Sequence, residues 1–254
     1  AIAIASRWTL IELMPPVLRG IRTMLQRTTG LTATTDKDLS ARTMGGLMVG
    51  ATLLLAGFFA AFLAPVAHGF WPIVGVAVVF CVVFGFVMAA ACGYMAGIVG
   101  SSSSPISGII IIGAVLCALM ILALEALGLT PDAMMADGQK LATAFTILLL
   151  SAITATIAIS TDNLHDLNSR QLVGATPRKQ EVALIAGCPV AAAVIPPVLN
   201  LLYQAYGFTG AMPRPGMDPA HALSAPQPAL ITLIAKGIFT PSLDWTMLCV
   251  GMGL

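Results

Sequence analysis

The chain has 254 residues, 58% hydrophobic and 9% charged, with a formal net charge of +1 and a mean hydropathy of +0.94. Soluble domains carry roughly 25% charged residues, so this composition cannot dress a water-facing surface, and its scattered basic residues form no nucleic-acid-binding stripe. The long continuous apolar runs exclude a β-barrel and predict an all-α fold: a polytopic membrane helical bundle with discontinuous or re-entrant segments.

In chain order, Arg7 to Arg27 reads as an interfacial helix broken by Pro15 and Pro16. Val17, Leu18, Ile21, Met24 and Leu25 share one face of it, and Arg19, Arg22 and Gln26 another. Residues 28–42 read as polar linker, with Asp36, Asp38 or Ser40 placed to cap the next helix. From Thr43 to Leu124 there is no Asp, Glu, Lys or Arg. Within that run a first crossing is expected from Gly45 to Ala64, ending at Pro65. A turn at His68 and Gly69 follows, then a second crossing from Trp71 to Gly97. The sequence next turns polar, with Gly100-Ser-Ser-Ser-Ser-Pro105 followed by Ile106, Ser107 and Gly108. A third crossing is expected from Ile106 to Leu127.

A loop carrying Glu125, Asp132, Asp137 and Lys140 leads to a fourth crossing, Leu141 to Thr161. A polar connector, Asp162 to Glu181, follows. A fifth crossing, Val182 to Tyr206, is expected to break at Pro196-Pro197. Gly207 to Pro228 reads as a loop. Leu230 to Phe239 is too short to span and reads as re-entrant or interfacial. A last segment begins near Trp245. The chain opens on Ala1 inside an apolar stretch and stops at Leu254 inside another. The expectation is therefore part of one larger transmembrane domain, with five to six membrane segments in residues 1–254.

Arginine and lysine crowd the segment before the first crossing and the connector after the fourth, so both belong on the cytoplasmic side. By the same count Gly207 to Pro228 falls outside. A multi-pass protein of the cell (inner or plasma) membrane is expected. The five cysteines lie in apolar segments without a Cys-x-x-Cys pair, and read as small buried hydrophobes. No nucleophile elbow, phosphate loop or zinc signature is present. The reading is therefore not an enzyme, with no cofactor and no metal site.

Two stretches carry candidate chemistry. Freed backbone in a polar break cannot face hydrocarbon, so the serine run is either buried against protein or lines a watery cavity; a short solvent-exposed loop is the alternative. Gly100, Ser101, Ser102, Ser103, Ser104, Pro105, Ser107 and Gly108, with Tyr94 upstream, form the candidate binding set. A helix opening at Pro105 or Ile106 would turn its N–H groups toward a carboxylate. Downstream, Asp162, His165 and Asp166 fall at i, i+3 and i+4, one helical face. They are candidates for proton coupling or gating, or else a solvated helix end. Asn200 and Tyr203 are polar or aromatic positions inside a crossing.

Ala91-Cys-Gly-Tyr-Met-Ala-Gly-Ile-Val-Gly-Ser-Ser-Ser-Ser-Pro-Ile-Ser-Gly108 resembles the Gly-Tyr…Gly-Ser-Ser-Asn-x-Pro-x-Ser-Gly run of bacterial oligopeptide transporters. That family includes the yellow-stripe-like transporters. Asp166-Leu167 followed by Leu172-Val-Gly-Ala-Thr-Pro-Arg-Lys-Gln180 is similar to a second family segment, Asp-Leu-Lys-Thr-Gly…Val-Gly-Ala-x-Pro-x-x-Gln. The chain departs from the pattern at Ser103 and Ser104, where the family has asparagine, and at Asn168, Ser169 and Arg170, where it has Lys-Thr-Gly. The resemblance implies secondary-active, proton-coupled import of small oligopeptides or of amino-acid-like metal chelates. Its implied partners are the substrate, protons and the lipid bilayer, with a homo-oligomer possible. A channel or facilitator, or a structural membrane subunit without coupled transport, is the alternative.

Overall fold

The computed structural model describes residues 41–65, 69–100, 106–174, 176–209 and 221–240, together with Pro15, Arg19 and Gly216. The linker 28–40, His68, the serine run 101–105 and the segment from Trp245 lie outside the described residues. So does the interfacial helix apart from Pro15 and Arg19, both helical, where the Arg19 Nε donates to the Pro15 carbonyl at 3.4 Å.

Among the described residues, five helices are long and apolar enough to cross a membrane, so the chain is an all-α, multi-pass membrane bundle. Helix α1 runs Ala41–Leu63 and stops before Pro65. Helix α2 runs Trp71–Val99, with Pro72 in its first turn, where a missing N–H costs nothing. It ends at Gly100, whose φ of 104° suits glycine and whose N–H closes onto the Ala96 carbonyl at 3.0 Å.

Helix α3, Ile106–Ala126, ends in a Schellman turn. There Gly128, at φ 68°, donates to the Glu125 carbonyl at 2.8 Å, and the Leu129 N–H reaches the Leu124 carbonyl at 2.9 Å.

Helix α4 is longer than expected, Asp132–Val173. The expected loop 132–140 is helical, interrupted by a positive φ of 60° at Gln139, next to Gly138. The expected connector after Thr161 is also helical as far as Val173, because no glycine or proline intervenes until Gly174 at φ 66°. Helix α5, Pro177–Ala205, starts with proline after Thr176. It carries Pro189, Pro196 and Pro197 in its interior, so the predicted break at Pro196-Pro197 is absent: the flanking turns carry the helix through.

Two-residue strands β1, Phe208–Thr209, and β2, Leu223–Ser224, pair in parallel within the expected loop. Helix α6 follows, Pro226–Phe239. Its 14 residues reach about 21 Å, short of the roughly 30 Å hydrocarbon layer.

Helix α4 is the hub: it packs on α2, α3 and α6, and more lightly on α5. Phe145 is fully buried, edge-on to Phe59 (ring centroids 5.6 Å apart) and stacked with Phe62 at 6.2 Å. Ile121, Met134, Leu149 and Ile153 continue the core, and Ile238 and Phe239 bring the end of α6 into it. Cys81, Cys92 and Cys117 are buried and form no disulfide among the described residues, as expected of small hydrophobes. Cys188 departs from that reading and is exposed on α5; Cys249 lies outside the described residues.

Candidate functional site at the α2–α4 end

Three contacts fix how α2 and α4 run. Cys81 Sγ donates to the Leu149 carbonyl at 3.9 Å. Ser160 Oγ donates to the Ala89 carbonyl at 3.0 Å. A methyl at Gly93 would strike Leu164 Cδ1 and lie 2.8 Å from Ser160 Oγ. Later residues of α2 meet later residues of α4, so the two helices are parallel. The same register sets Tyr94 level with His165, and Met95 level with Asp166.

The polar turn of α4 therefore stands beside Ala91–Met95, in the last stretch of α2 before the serine run departs at Gly100. Gly100 lies about 10 Å along the axis from Gly93. Asp162, His165 and Asp166 share one helical face at this level, and all three are exposed. Tyr94 is 41% exposed. Gly100 is half-buried. Arg42 at the start of α1 belongs to the same end, because Phe59 meets Phe145 at the other.

Ser107 and Gly108 open α3, the first exposed and the second buried. The Ser107 hydroxyl accepts from Gln227 Nε2 at 2.8 Å. Gln227 sits in the first turn of α6, next to the β1–β2 pair. The segment 207–228 is expected on the side opposite the basic connector; instead Gln227 meets the start of α3, at the same end of the bundle as the α4 turn, so the expected separation does not hold there. Neither Gln227 nor Ser160 was singled out by sequence reasoning. The flanking Pro226 and Pro228 mark a helix start, which is the one local signal for Gln227. Ser101, Ser102, Ser103, Ser104 and Pro105 lie outside the described residues.

The hydroxyls of α4 divide sharply. Thr143, Thr146, Ser151, Thr156, Thr161 and Ser169 each donate to the carbonyl four residues earlier. Such bonds are satisfied within the helix and leave little to offer a ligand. Ser160 alone among these described hydroxyls reaches another helix.

A cavity of about 350 Å³ lies between α1, α2 and α4, lined among others by Met48, Thr52, Leu55, Cys81, Phe86 and Thr156. Its Thr52, Thr156 and Cys81 groups already donate to backbone carbonyls, and the rest of the named lining is apolar. A second cavity, about 400 Å³, is lined by Gly174, Thr176, Lys179, Gln180 and Ala183 at the junction of α4 and α5. Thr176 Oγ1 and Gln180 Oε1 are buried there without a hydrogen-bond partner among the described residues. Among the described residues no three His, Cys, Asp or Glu side chains gather as a metal site.

The model of a family described as OPT oligopeptide transporter protein matches residues 1–254. A protein of Haemophilus influenzae named "Putative oligopeptide transporter" is 46% identical over 263 residues, covering 100% of this chain and 41% of that protein. The chain thus spans about two fifths of the length of the curated relative it matches. No solved structure gives a significant match.

Proposed function

This chain belongs to the OPT oligopeptide transporter family, and from that premise we propose that it is part of a secondary-active importer of small oligopeptides. Amino-acid-like metal chelates are a second cargo of the same chemistry. Import is coupled to protons across the cell membrane. A homo-oligomeric assembly is compatible with this reading.

One observation carries the reading. The Asp162–Asp166 turn of α4 stands level with Ala91–Met95, roughly 8–14 Å along the axis before α2 ends at Gly100 and the serine run departs, and the Ser160–Ala89 bond holds that register. A polar break supplies hydroxyls and backbone groups to a cargo that must shed its water. A titratable cluster one helix away is near enough for its charge state to be felt by that cargo. Ser101 to Ser104, Pro105, Ser107, Gly108, Gly100 and Tyr94 bind or shape the cargo, and Asp162, His165 and Asp166 couple or gate. Gln227 joins the set by holding Ser107.

The test is uptake of labelled di- to tetrapeptides by the full-length protein to which this chain belongs, in liposomes, with and without an inward proton gradient. Replacement of Ser101, Ser102, Ser103 and Ser104 by alanine is expected to lower uptake at least about ten-fold, the loss of one or two net hydrogen bonds. Unchanged uptake would remove the serine run from the site. Gradient-independent, non-saturating flux would point to a channel.

A further inference from the structure

Helix α5 presents two unlike faces. At 3.6 residues per turn, Pro189, Pro196, Pro197, Asn200 and Tyr203 fall within a sector of about 120°. Val194, Val198 and Leu202 lie about 120° or more from the centre of that sector. The helix persists through all three prolines. Proline has no N–H, so the carbonyls of Ile185, Ala192 and Ala193 have no donor four residues on. These acceptors lie near the proline face, and Asn200 adds a side-chain amide to it, exposed. No residue in the apolar window of α5 is buried by the rest of the described structure.

A membrane cannot leave such carbonyls unmet. A plain apolar helix packed over them offers no help, because its own N–H groups are already used along its length. What can meet them is a backbone N–H brought in by a local 3₁₀ or π adjustment, or a donor with N–H or O–H to spare: water, a polar side chain, or a solute. The aliphatic face has no such demand and suits lipid or helix packing.

We infer that the Pro196–Asn200 face of α5 is a second cargo-contacting surface. It lines a hydrated passage and accepts hydrogen bonds from the N–H groups of a peptide-like solute. The inference rests on the transport reading above. It is separate from the serine run, and it adds acceptors where that run supplies mainly hydroxyls.

Single cysteines test it in the full-length protein, freed of its native cysteines and reconstituted in proteoliposomes. The substitutions are Ala193→Cys and Asn200→Cys on one face, Val194→Cys and Val198→Cys on the other. Each is challenged with a charged, membrane-impermeant thiol reagent, with and without trialanine. The proline-face pair is expected to react at least about ten-fold faster than the aliphatic pair, and trialanine to slow it about three-fold or more. Equally slow labelling of all four would overturn the inference, since side chains of packed helices would then meet the carbonyls. Fast labelling unaffected by trialanine, in protein that still takes trialanine up, overturns cargo contact and leaves the transport reading standing. Fast labelling with neither protection nor trialanine uptake overturns both.

Discussion

Gly93→Ala tests the register on which the site depends. The added methyl would lie 2.8 Å from Ser160 Oγ and against Leu164 Cδ1, with the Ser160 carbonyl oxygen at 3.6 Å. Leu164 can swing away at its tip. Ser160 cannot move without losing its bond to Ala89. An interhelical side-chain bond in a membrane contributes about 0.6 kcal/mol on average, and overpacking a tight contact costs typically about 1–3 kcal/mol. Against this, alanine favours a helix over glycine by up to about 1 kcal/mol. The net expectation is about 1–2 kcal/mol of destabilisation. In a Ser160→Ala background the hydroxyl is gone and its bond already lost, so Gly93→Ala should there cost at least about 1 kcal/mol less. Reversible unfolding in mixed detergent micelles measures all four corners of this cycle. Gly93→Ala neutral or stabilising in the Ser160 background, or equal costs in both backgrounds, would refute the Gly93–Ser160 contact and the register drawn from it.

Phe145→Ala should be the most damaging single truncation in the core. It empties the space between Phe59 and Phe62, and costs about 3 kcal/mol in the same unfolding assay, the lower end for such truncations because a bilayer offers less hydrophobic gain to lose. Gln227→Ala breaks an exposed bond, so stability should change by less than about 1 kcal/mol, while the peptide KM rises about two- to ten-fold through Ser107. An unchanged KM would leave the Gln227–Ser107 bond structural. Asp166→Asn should flatten or shift the pH profile of uptake by removing one carboxylate from the α4 turn. An unaltered profile, measured between pH 5 and pH 8, would exclude Asp166 from coupling.

Much of the bundle was legible because hydrophobicity and helix stops coincide in it. Trp71-Pro72 starts α2 and Gly128 closes α3, each with its local signature. Helix α4 was under-read because polarity marks where a helix leaves the bilayer, not where it ends. Asp162 to Val173 is polar yet contains no residue that stops a helix. Pro196-Pro197 was over-read for the converse reason: a proline deletes a bond without obliging the neighbouring turns to part. In the candidate site, Ser107, Gly108 and the Asp162–Asp166 face were visible as residue types. Ser160 and Gln227 were not, because their partners lie 71 and 120 residues away. Periodicity reports which face a residue takes, and it carries no information on which distant helix meets that face.

The glycine seam between α2 and α4 has a consequence for how the two helices can move. With no side chain at Gly93, Ser160 and Leu164 of α4 reach the backbone of α2 itself. Any slide of one helix along the other must first break the Ser160–Ala89 bond and lift Leu164 off that backbone, so the absence of one side chain works here as a latch.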